Sequence, residues 1–186
     1  MTVNAEIIVS APCGAWQARL PEALSLCRRA ALAAVEDAIA GAAIPALASG
    51  SLAMEASVVL ADDDFVRKLN REYRGRDEAT NVLSFAAFDA SGPSQAQALG
   101  RGGDGGVGPL LLGDVVLAFD TVAAEAAGQG KSFEAHLCHM AVHGMLHLLG
   151  YDHDSEGPAI TMERLETLIL QRMGYPDPYV VEQAAT

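Results

Sequence analysis

Cysteine is scarce in this chain, and its scarcity excludes a fold that depends on disulfide bonds. The three cysteines, Cys13, Cys27 and Cys138, are odd in number, lie far apart and form no CxxC pair. This pattern indicates reduced thiols in a reducing compartment. Cys138 lies in an apolar stretch, and we interpret it as a small buried hydrophobic residue.

Long hydrophobic runs are also missing. The alanine-rich segment 30–48 is interrupted by Glu36, Asp37 and Pro45, so it does not qualify as a membrane span. Residues 1–6 lack the basic residues and the apolar run of a signal peptide. We therefore expect a cytoplasmic protein with no membrane partner.

Positively charged residues are scarce as well. The chain has 12 lysines and arginines but 24 aspartates and glutamates, which gives a formal net charge of −12. This balance argues against broad, nonspecific wrapping of nucleic acid, since phosphate contacts need a basic surface. Five basic residues nevertheless form one short cluster, here called the basic patch: Arg67, Lys68, Arg71, Arg74 and Arg76. The patch fits one short phosphate contact, or simply a solvated helix face that Glu72, Asp77 and Glu78 partly neutralise.

A chain of 186 residues that is 51% hydrophobic is expected to form one domain with a substantial core. Alternation predicts strands, and helical periodicity with capping residues predicts helices. The predicted strands are Ala5–Ser10, Leu52–Ala61 and Leu110–Phe119. The predicted helices are Pro21–Ala40, Phe65–Tyr73 with a cap and acidic first turn formed by Asp62, Asp63 and Asp64, Asp120–Ala127, a central helix capped by Ser132, and Ser155–Gly174. The sequence thus predicts a single α+β domain over residues 1–186, with about five helices packed on a small mixed sheet of about four strands.

Two segments are predicted to be mobile. Asp89–Pro109 is rich in glycine, contains two prolines and has little to bury, and we interpret it as a flexible insertion within the domain. The tail from Pro176 is expected to be frayed, with weak docking through Tyr179 and Val180.

Three histidines form the most informative cluster, in the segment VHGMLHLLGYDHD at 142–154. His143 and His147 are four residues apart, which places them on one helix face about 6 Å apart along the axis. Gly150 is suited to end that helix, so that His153 can return to the pair. A pair of helical histidines is often only packed, but this third histidine favours a metal site. Three neutral imidazoles with an open fourth position are typical of catalytic zinc, so we predict one Zn²⁺ per chain, although nickel or copper fits too.

Other polar residues near the three histidines are expected to support the metal ligands without binding the metal themselves. Asp152 and Asp154 are candidate acceptors that fix the orientation of an imidazole. His139 lies near the face of His143, but it is eight residues, about 12 Å of helix rise, from His147. We therefore expect His139 to have a structural or supporting role rather than to share the ion.

The histidine spacing also matches the ligands of the metzincin proteases, H-E-x-x-H-x-x-G-x-x-H. Gly144 stands where such a protease has its glutamate general base. This difference argues against peptide hydrolysis.

Three segments resemble the YbeY family, whose members are bacterial metal-dependent endoribonucleases linked to ribosomal RNA maturation. HGMLHLLGYDH at 143–153 is similar to the family signature H-G-x-L-H-L-x-G-Y-D-H without a break. LNREYRGRDEATNVLSF at 69–85 resembles a second family pattern, which leads into a strand, so the resemblance implies a further strand there. LGDVV at 112–116 resembles a third family pattern. The family usually has proline after the second pattern, where this chain has Ala86. The resemblance covers about residues 63–174.

The resemblance implies a site and a substrate. Arg74 matches the family's functional arginine, and we expect it to be catalytic, because a guanidinium can hold a phosphate at two points and stabilise its growing charge. Arg67, Lys68, Arg71 and Arg76 are expected to bind the substrate backbone. The implied substrate is single-stranded RNA rather than DNA, especially 16S rRNA during maturation and ribosome quality control. The small ribosomal subunit is the implied partner.

Two other functions stay open. A non-catalytic, zinc-stabilised ribosome-assembly factor is the serious alternative, because it could use the same basic patch with a structural metal. A metalloprotease is the weaker alternative, because Gly144 stands where such a protease has its glutamate general base.

Overall fold

The computed structural model describes residues 4–40, 53–87, 108–153 and 155–180. The predicted insertion lies outside the described residues except for Gly108 and Pro109, and Asp154 lies outside them too. The strands are β1 (Ala5–Ser10), β2 (Met54–Ala61), β3 (Val82–Ala86) and β4 (Leu110–Ala118). The helices are α1 (Ala15–Arg19), α2 (Ala23–Ala40), α3 (Asp63–Arg74), α4 (Phe119–Gly128), α5 (Phe133–Leu148) and α6 (Glu156–Arg172).

The four strands form one mixed sheet in the order β1-β2-β4-β3. β1 and β4 both run parallel to β2, whereas β3 runs antiparallel to β4. α2 lies between β1 and β2 in the chain and makes the crossover that two adjacent parallel strands require. The predicted α+β class, the single domain and the four-stranded mixed sheet are confirmed.

Helix α5 lies at the centre of the fold. It contacts β3, β4, α2, α4 and α6, and most of its residues are buried. A helix that is apolar almost all round must be covered on every side, and these five elements provide the cover. Consequently His143 and His147 project from a helix that is packed against five other elements.

The other face of the sheet is covered by α3. Val66 of α3 packs with Leu83 and Val116 of the sheet in a small second core. The Asp62 carboxylate accepts a hydrogen bond from the backbone N–H of Phe65 at 2.8 Å, which confirms the predicted cap. Gly75 ends the helix with a φ of 70°, a left-handed conformation that suits glycine.

Both ends of the domain have more structure than the sequence analysis predicted. α1 was not predicted, because five residues are too few to show a helical period; its Trp16 is fully buried and donates from Nε1 to the Ala61 carbonyl at 2.9 Å. The tail was expected to fray from Pro176 with weak docking through Tyr179 and Val180. The docking through Tyr179 is present, since its hydroxyl donates to Glu166, and Lys131 Nζ adds a bond to the Pro178 carbonyl at 2.6 Å.

The three cysteines are free thiols, which agrees with their interpretation as reduced residues. Cys27 and Cys138 are buried free thiols, and Cys13 is free and half-buried. Burial raises the pKa of the Cys138 thiol to about 11, so it remains protonated and unreactive at neutral pH. Among the described residues, no helix combines the length and apolar character needed to cross a membrane.

Candidate metal centre and active-site cavity

The local structure brings the three histidines together as their spacing predicts. Ser132 caps α5 by accepting a hydrogen bond from the Ala135 N–H at 3.1 Å. The helix ends at Leu148, and Gly150 follows with a φ of 86°. The Tyr151 N–H then donates to the Leu146 carbonyl at 3.0 Å, which closes the turn. This left-handed turn reverses the chain and places His153 beside the end of α5.

His143, His147 and His153 form a group that can hold a metal ion. One nitrogen from each ring can be chosen so that all three lie within 4.8 Å of one another. The Nε2 atoms of His143 and His147 are 3.1 Å apart. Two nitrogens bound to one tetrahedral zinc ion lie about 3.3 Å apart, so this spacing fits the ion.

The opposite nitrogens of the two helical histidines fix their tautomers. His143 Nδ1 donates to Glu166 Oε1 at 2.8 Å, and His147 Nδ1 donates to the Tyr151 carbonyl at 3.0 Å. With Nδ1 protonated, a neutral ring has an unprotonated Nε2 whose lone pair can bind a metal. Two such lone pairs facing each other repel unless a cation lies between them. The donor set therefore fits a metal ion by its chemistry as well as by its spacing.

The electrostatic environment favours the neutral form of His147 and the ionised form of Glu166. Burial, followed by the proximity of His143 and His153, lowers the pKa of His147 to about 4. Burial alone would raise the pKa of Glu166, but hydrogen bonds from His139, His143 and Tyr179 lower it to about 2. At neutral pH the site thus has a neutral imidazole at His147 and an ionised carboxylate behind His143.

Glu166 is the main site residue that the sequence analysis missed. It lies on α6, is fully buried and also accepts a hydrogen bond from His139 Nε2 at 2.9 Å. The supporting role expected for His139 agrees with this contact. A signal for Glu166 was present, because it occupies the apolar face of α6 between Met162 and Ile169, where a carboxylate needs a buried partner.

Of the two aspartates expected to orient an imidazole, the structure describes only Asp152. The Asp152 carboxylate accepts a hydrogen bond from the backbone N–H of His153 at 2.7 Å, which orders the turn. Asp154 lies outside the described residues. The acceptors seen on the helical histidines are instead Glu166 and the Tyr151 carbonyl.

A cavity of about 630 Å³ opens in front of the histidines. Its lining includes the three histidines, residues of β3 and the preceding loop, and Arg74 at the end of α3: Arg74, Thr80, Asn81, Val82, Ser84, Ala86, His143, His147, Gly150, Tyr151, Asp152 and His153. The structure thus brings Arg74 to the same cavity as the histidine group, although they are far apart in the sequence.

The other members of the basic patch do not line this cavity. Arg67 donates two hydrogen bonds to the Asp77 carboxylate, at 2.9 and 3.0 Å, and Arg71 lies 3.8 Å from the same group. Lys68 and Arg76 are exposed. No carboxylate pairs with Arg74 within the part of the chain that the structure describes. Its guanidinium is therefore available to an anion in the cavity.

The loop after Arg74 is held by the buried Asn70. The Asn70 side chain donates to the Glu78 carbonyl at 2.8 Å, and the Arg76 N–H donates to the Asn70 carbonyl at 3.3 Å. Asn81, farther along, accepts from the N–H of Val82 and donates to both carboxylate oxygens of Glu125. These bonds tie the loop after Arg74 to α3, and tie the start of β3, which lines the cavity, to α4.

Gly144 has a structural reason to be glycine. A Cβ at this position would lie 2.5 Å from Val115 Cγ1 and 3.1 Å from Val82 Cγ2. Position 144 thus faces the sheet, and any side chain there would enter the helix–sheet contact. A protease-type glutamate cannot be accommodated at this position without moving α5.

Comparisons with known proteins show which family the chain resembles. The sequence profile described as Endoribonuclease YbeY matches residues 28–174. The Endoribonuclease YbeY of Paramagnetospirillum magneticum is 48% identical over 179 residues, which are 96% of this chain and 98% of the relative. The protein of the same name from a Bradyrhizobium species is 44% identical over 176 residues, covering 94% of this chain and 90% of the relative. A solved structure from Thermotoga maritima covers 95% of this chain and 99% of its own, with 19% identity and a TM-score of 0.46.

Proposed function

The chain belongs to the YbeY family of endoribonucleases, and on that premise we propose that it is a zinc-dependent endoribonuclease that hydrolyses phosphodiester bonds in single-stranded RNA. The observation that supports this proposal most is a single cavity lined by both the histidine group and Arg74. Imidazole nitrogens suit a Lewis-acidic metal, and a guanidinium suits phosphate oxygens. A phosphodiester bound in this cavity can contact both the metal held by the histidines and the Arg74 guanidinium.

In this proposal His143, His147 and His153 hold one zinc ion per chain. A ligand set made only of imidazoles favours zinc over magnesium, which prefers oxygen ligands. When bound, zinc acts as a Lewis acid that activates water or polarises a phosphoryl oxygen. Among the described residues the group contains three ligands, which leaves room for such a molecule.

Arg74 is the proposed catalytic residue of the chain itself. Its guanidinium donates hydrogen bonds to the non-bridging oxygens of the scissile phosphate and stabilises the charge that grows on them in the transition state. Glu166 is fully buried behind His143 and does not line the cavity, so it is not placed to act as a general base. Stabilisation of charge by Arg74 therefore supplies a large share of the catalysis.

The rest of the basic patch is proposed to bind the RNA backbone. Lys68 and Arg76 are exposed, and Arg67 and Arg71 can exchange Asp77 for a phosphate. Such exposed contacts act mainly through charge and weaken as salt is added.

Family membership supports a more specific substrate. We propose that the RNA is 16S rRNA, bound during maturation and ribosome quality control in the cytoplasm, with the small ribosomal subunit as partner. DNA is not expected as a substrate. Comparison of cleavage of precursor 16S rRNA, naked and within small subunits, with cleavage of a DNA strand of the same sequence tests this part.

A zinc-stabilised assembly factor without catalytic activity is the main alternative, and the site does not favour it. A structural zinc normally has four protein ligands, whereas the group among the described residues has three. A metalloprotease is disfavoured, because position 144 faces the sheet rather than the cavity.

The deciding experiment uses protein purified without a histidine tag and loaded with zinc. We expect it to cleave single-stranded RNA and to leave duplex RNA and single-stranded DNA intact, while His143→Ala is inactive on all three. Equal cleavage by wild type and His143→Ala would reveal a contaminating nuclease and leave the assembly factor as the better proposal.

A further inference from the structure

The buried carboxylate of Glu166 connects the three-histidine group to the C-terminal segment. Its Oε1 accepts from His143 Nδ1 at 2.8 Å, and its Oε2 accepts from His139 Nε2 at 2.9 Å and from the Tyr179 hydroxyl. The side chain is fully buried, so it cannot exchange these donors for water. One carboxylate therefore joins α5, α6 and residues 176–180.

The bond from His143 decides which ring nitrogen faces the other histidines. A carboxylate can only accept, so His143 must be protonated on Nδ1, and its Nε2 is left free to bind a metal. His147 obtains the same orientation from the backbone carbonyl of Tyr151, which mutation does not remove. The orientation of His143, by contrast, depends on one side chain from another helix.

Tyr179 in turn holds the carboxylate in place. Its ring contacts the ring of His139 edge to face, with centroids 5.6 Å apart, while its hydroxyl bonds to Glu166. Lys131 Nζ donates to the adjacent Pro178 carbonyl at 2.6 Å, which fixes the segment that presents Tyr179. Residues 176–180, here called the docked tail, thus provide the third hydrogen-bond donor to the Glu166 carboxylate, after His139 and His143.

We propose that Glu166 is a positioning residue of the metal site, which fixes the tautomer of His143. In the same proposal the Tyr179 hydroxyl holds the Glu166 carboxylate in place, so metal affinity depends on the docking of residues 176–180. This inference rests on the metal site of the proposed function but not on the RNA substrate. Zinc affinity and histidine tautomers can be measured without any cleavage assay, so failure of the inference is distinguishable from failure of the nuclease proposal.

The first test measures zinc affinity by competition with a coloured chelator. Glu166→Gln should weaken zinc binding by about 10- to 100-fold, the usual effect of removing a carboxylate behind a ligating histidine. Glu125→Gln is the matched control, because Glu125 makes the same kind of bond, 2.8 Å, to His136 on the same helix but away from the three histidines. Unchanged affinity in Glu166→Gln, or an equal loss in Glu125→Gln, would overturn the proposal.

The second test distinguishes positioning from a merely structural role. Nitrogen NMR of the metal-free protein should show His143 protonated on Nδ1 in wild type and in Glu125→Gln, and a mixture of tautomers in Glu166→Gln. A structural role would lower the unfolding temperature and leave the tautomer unchanged. If Glu166→Gln does not fold, Glu166→Asp takes its place in both assays, since it keeps the charge but withdraws the carboxylate from His143.

The third test concerns the tail and compares Tyr179 with Tyr175, which lies just before the tail. Tyr179→Phe removes the hydroxyl that bonds to Glu166, whereas Tyr175→Phe removes one that bonds to Glu134 at 2.6 Å. We expect Tyr179→Phe to lose zinc affinity, by less than Glu166→Gln, and Tyr175→Phe to retain the wild-type value. Equal affinities in the two tyrosine variants would refute the link between tail and metal.

Discussion

Ser84 donates a hydrogen bond from its hydroxyl to the backbone carbonyl of Gly144 at 3.1 Å, which joins β3 to the middle of the histidine helix. This bond needs the helix backbone to lie unusually close to the sheet. The close approach is possible because position 144 has no side chain. The glycine of the histidine motif therefore sets the distance between the metal ligands on α5 and the cavity wall on β3.

Gly144→Ala should destabilise the protein by about 1–3 kcal/mol, the usual cost of forcing an extra methyl group into a packed contact. The added Cβ would meet Val115 at 2.5 Å, so α5 or the sheet must shift. Denaturant unfolding measures the loss. Gly157→Ala, in α6, is the control, because nothing lies within 4 Å of its added Cβ. Equal stabilities of the two variants would contradict this account of Gly144.

Gly113→Ala should be more damaging still. Its φ is 130°, and an added Cβ would lie 2.1 Å from the Phe85 carbonyl oxygen on the paired strand. Backbone strain and overlap together should cost about 3 kcal/mol or more. The position lies beside the irregularity in the pairing of β2 with β4. Soluble yield and unfolding midpoint report the effect, and a variant as stable as wild type would show that this bulge adapts easily.

Removal of zinc should lower stability without altering the fold. A ligand present at 100 times its Kd stabilises the native state by about 2.7 kcal/mol, so a chelator should lower the Tm by several degrees. His153→Ala tests the assignment, since His153 is exposed and its loss removes a ligand but little packing. We expect this variant to melt at the same temperature with and without chelator. A chelator effect as large as in wild type would exclude His153 as a ligand.

The histidine group could be predicted from sequence because its geometry is local. Helical spacing places His143 beside His147, and Gly150 makes the turn that returns His153. Glu166 could not be placed in the same way, because its contact with His143 depends on how α6 packs against α5. The periodicity of α6 predicted the position of the helix in the sequence. It did not predict which hydrogen-bond donors would contact the buried carboxylate of Glu166.

The ends of the domain were predicted less well for a related reason. Tail residues have a weak local pattern, and the docking of Tyr179 depends on a partner thirteen residues earlier on another element. α1 is short, and its position is set by the burial of Trp16 rather than by helix propensity. The strand and helix order was predictable because each longer element has its own apolar period.

Arg71→Ala should weaken RNA binding modestly and leave turnover at saturating RNA nearly unchanged. Arg71 is exposed, does not line the cavity and lies 3.8 Å from Asp77, so its charge is already partly neutralised. Its contribution should appear as a shallower dependence of affinity on salt. Binding measured at several salt concentrations checks this, and a large loss of saturated turnover would place Arg71 in the catalytic step.

Arg74→Ala should retain its fold and its zinc but lose turnover by about 100-fold or more, the scale of removing one preorganised donor to a transition-state charge. Arg74 is exposed at the end of α3, so its truncation removes little packing. It lines the histidine cavity, unlike Arg71, so the two variants differ mainly in access to the scissile phosphate. Single-turnover cleavage at saturating RNA, with zinc content measured in parallel, separates chemistry from binding. If Arg74→Ala cleaves as fast as Arg71→Ala under these conditions, Arg74 only binds RNA, and the metal site must stabilise the transition state without it.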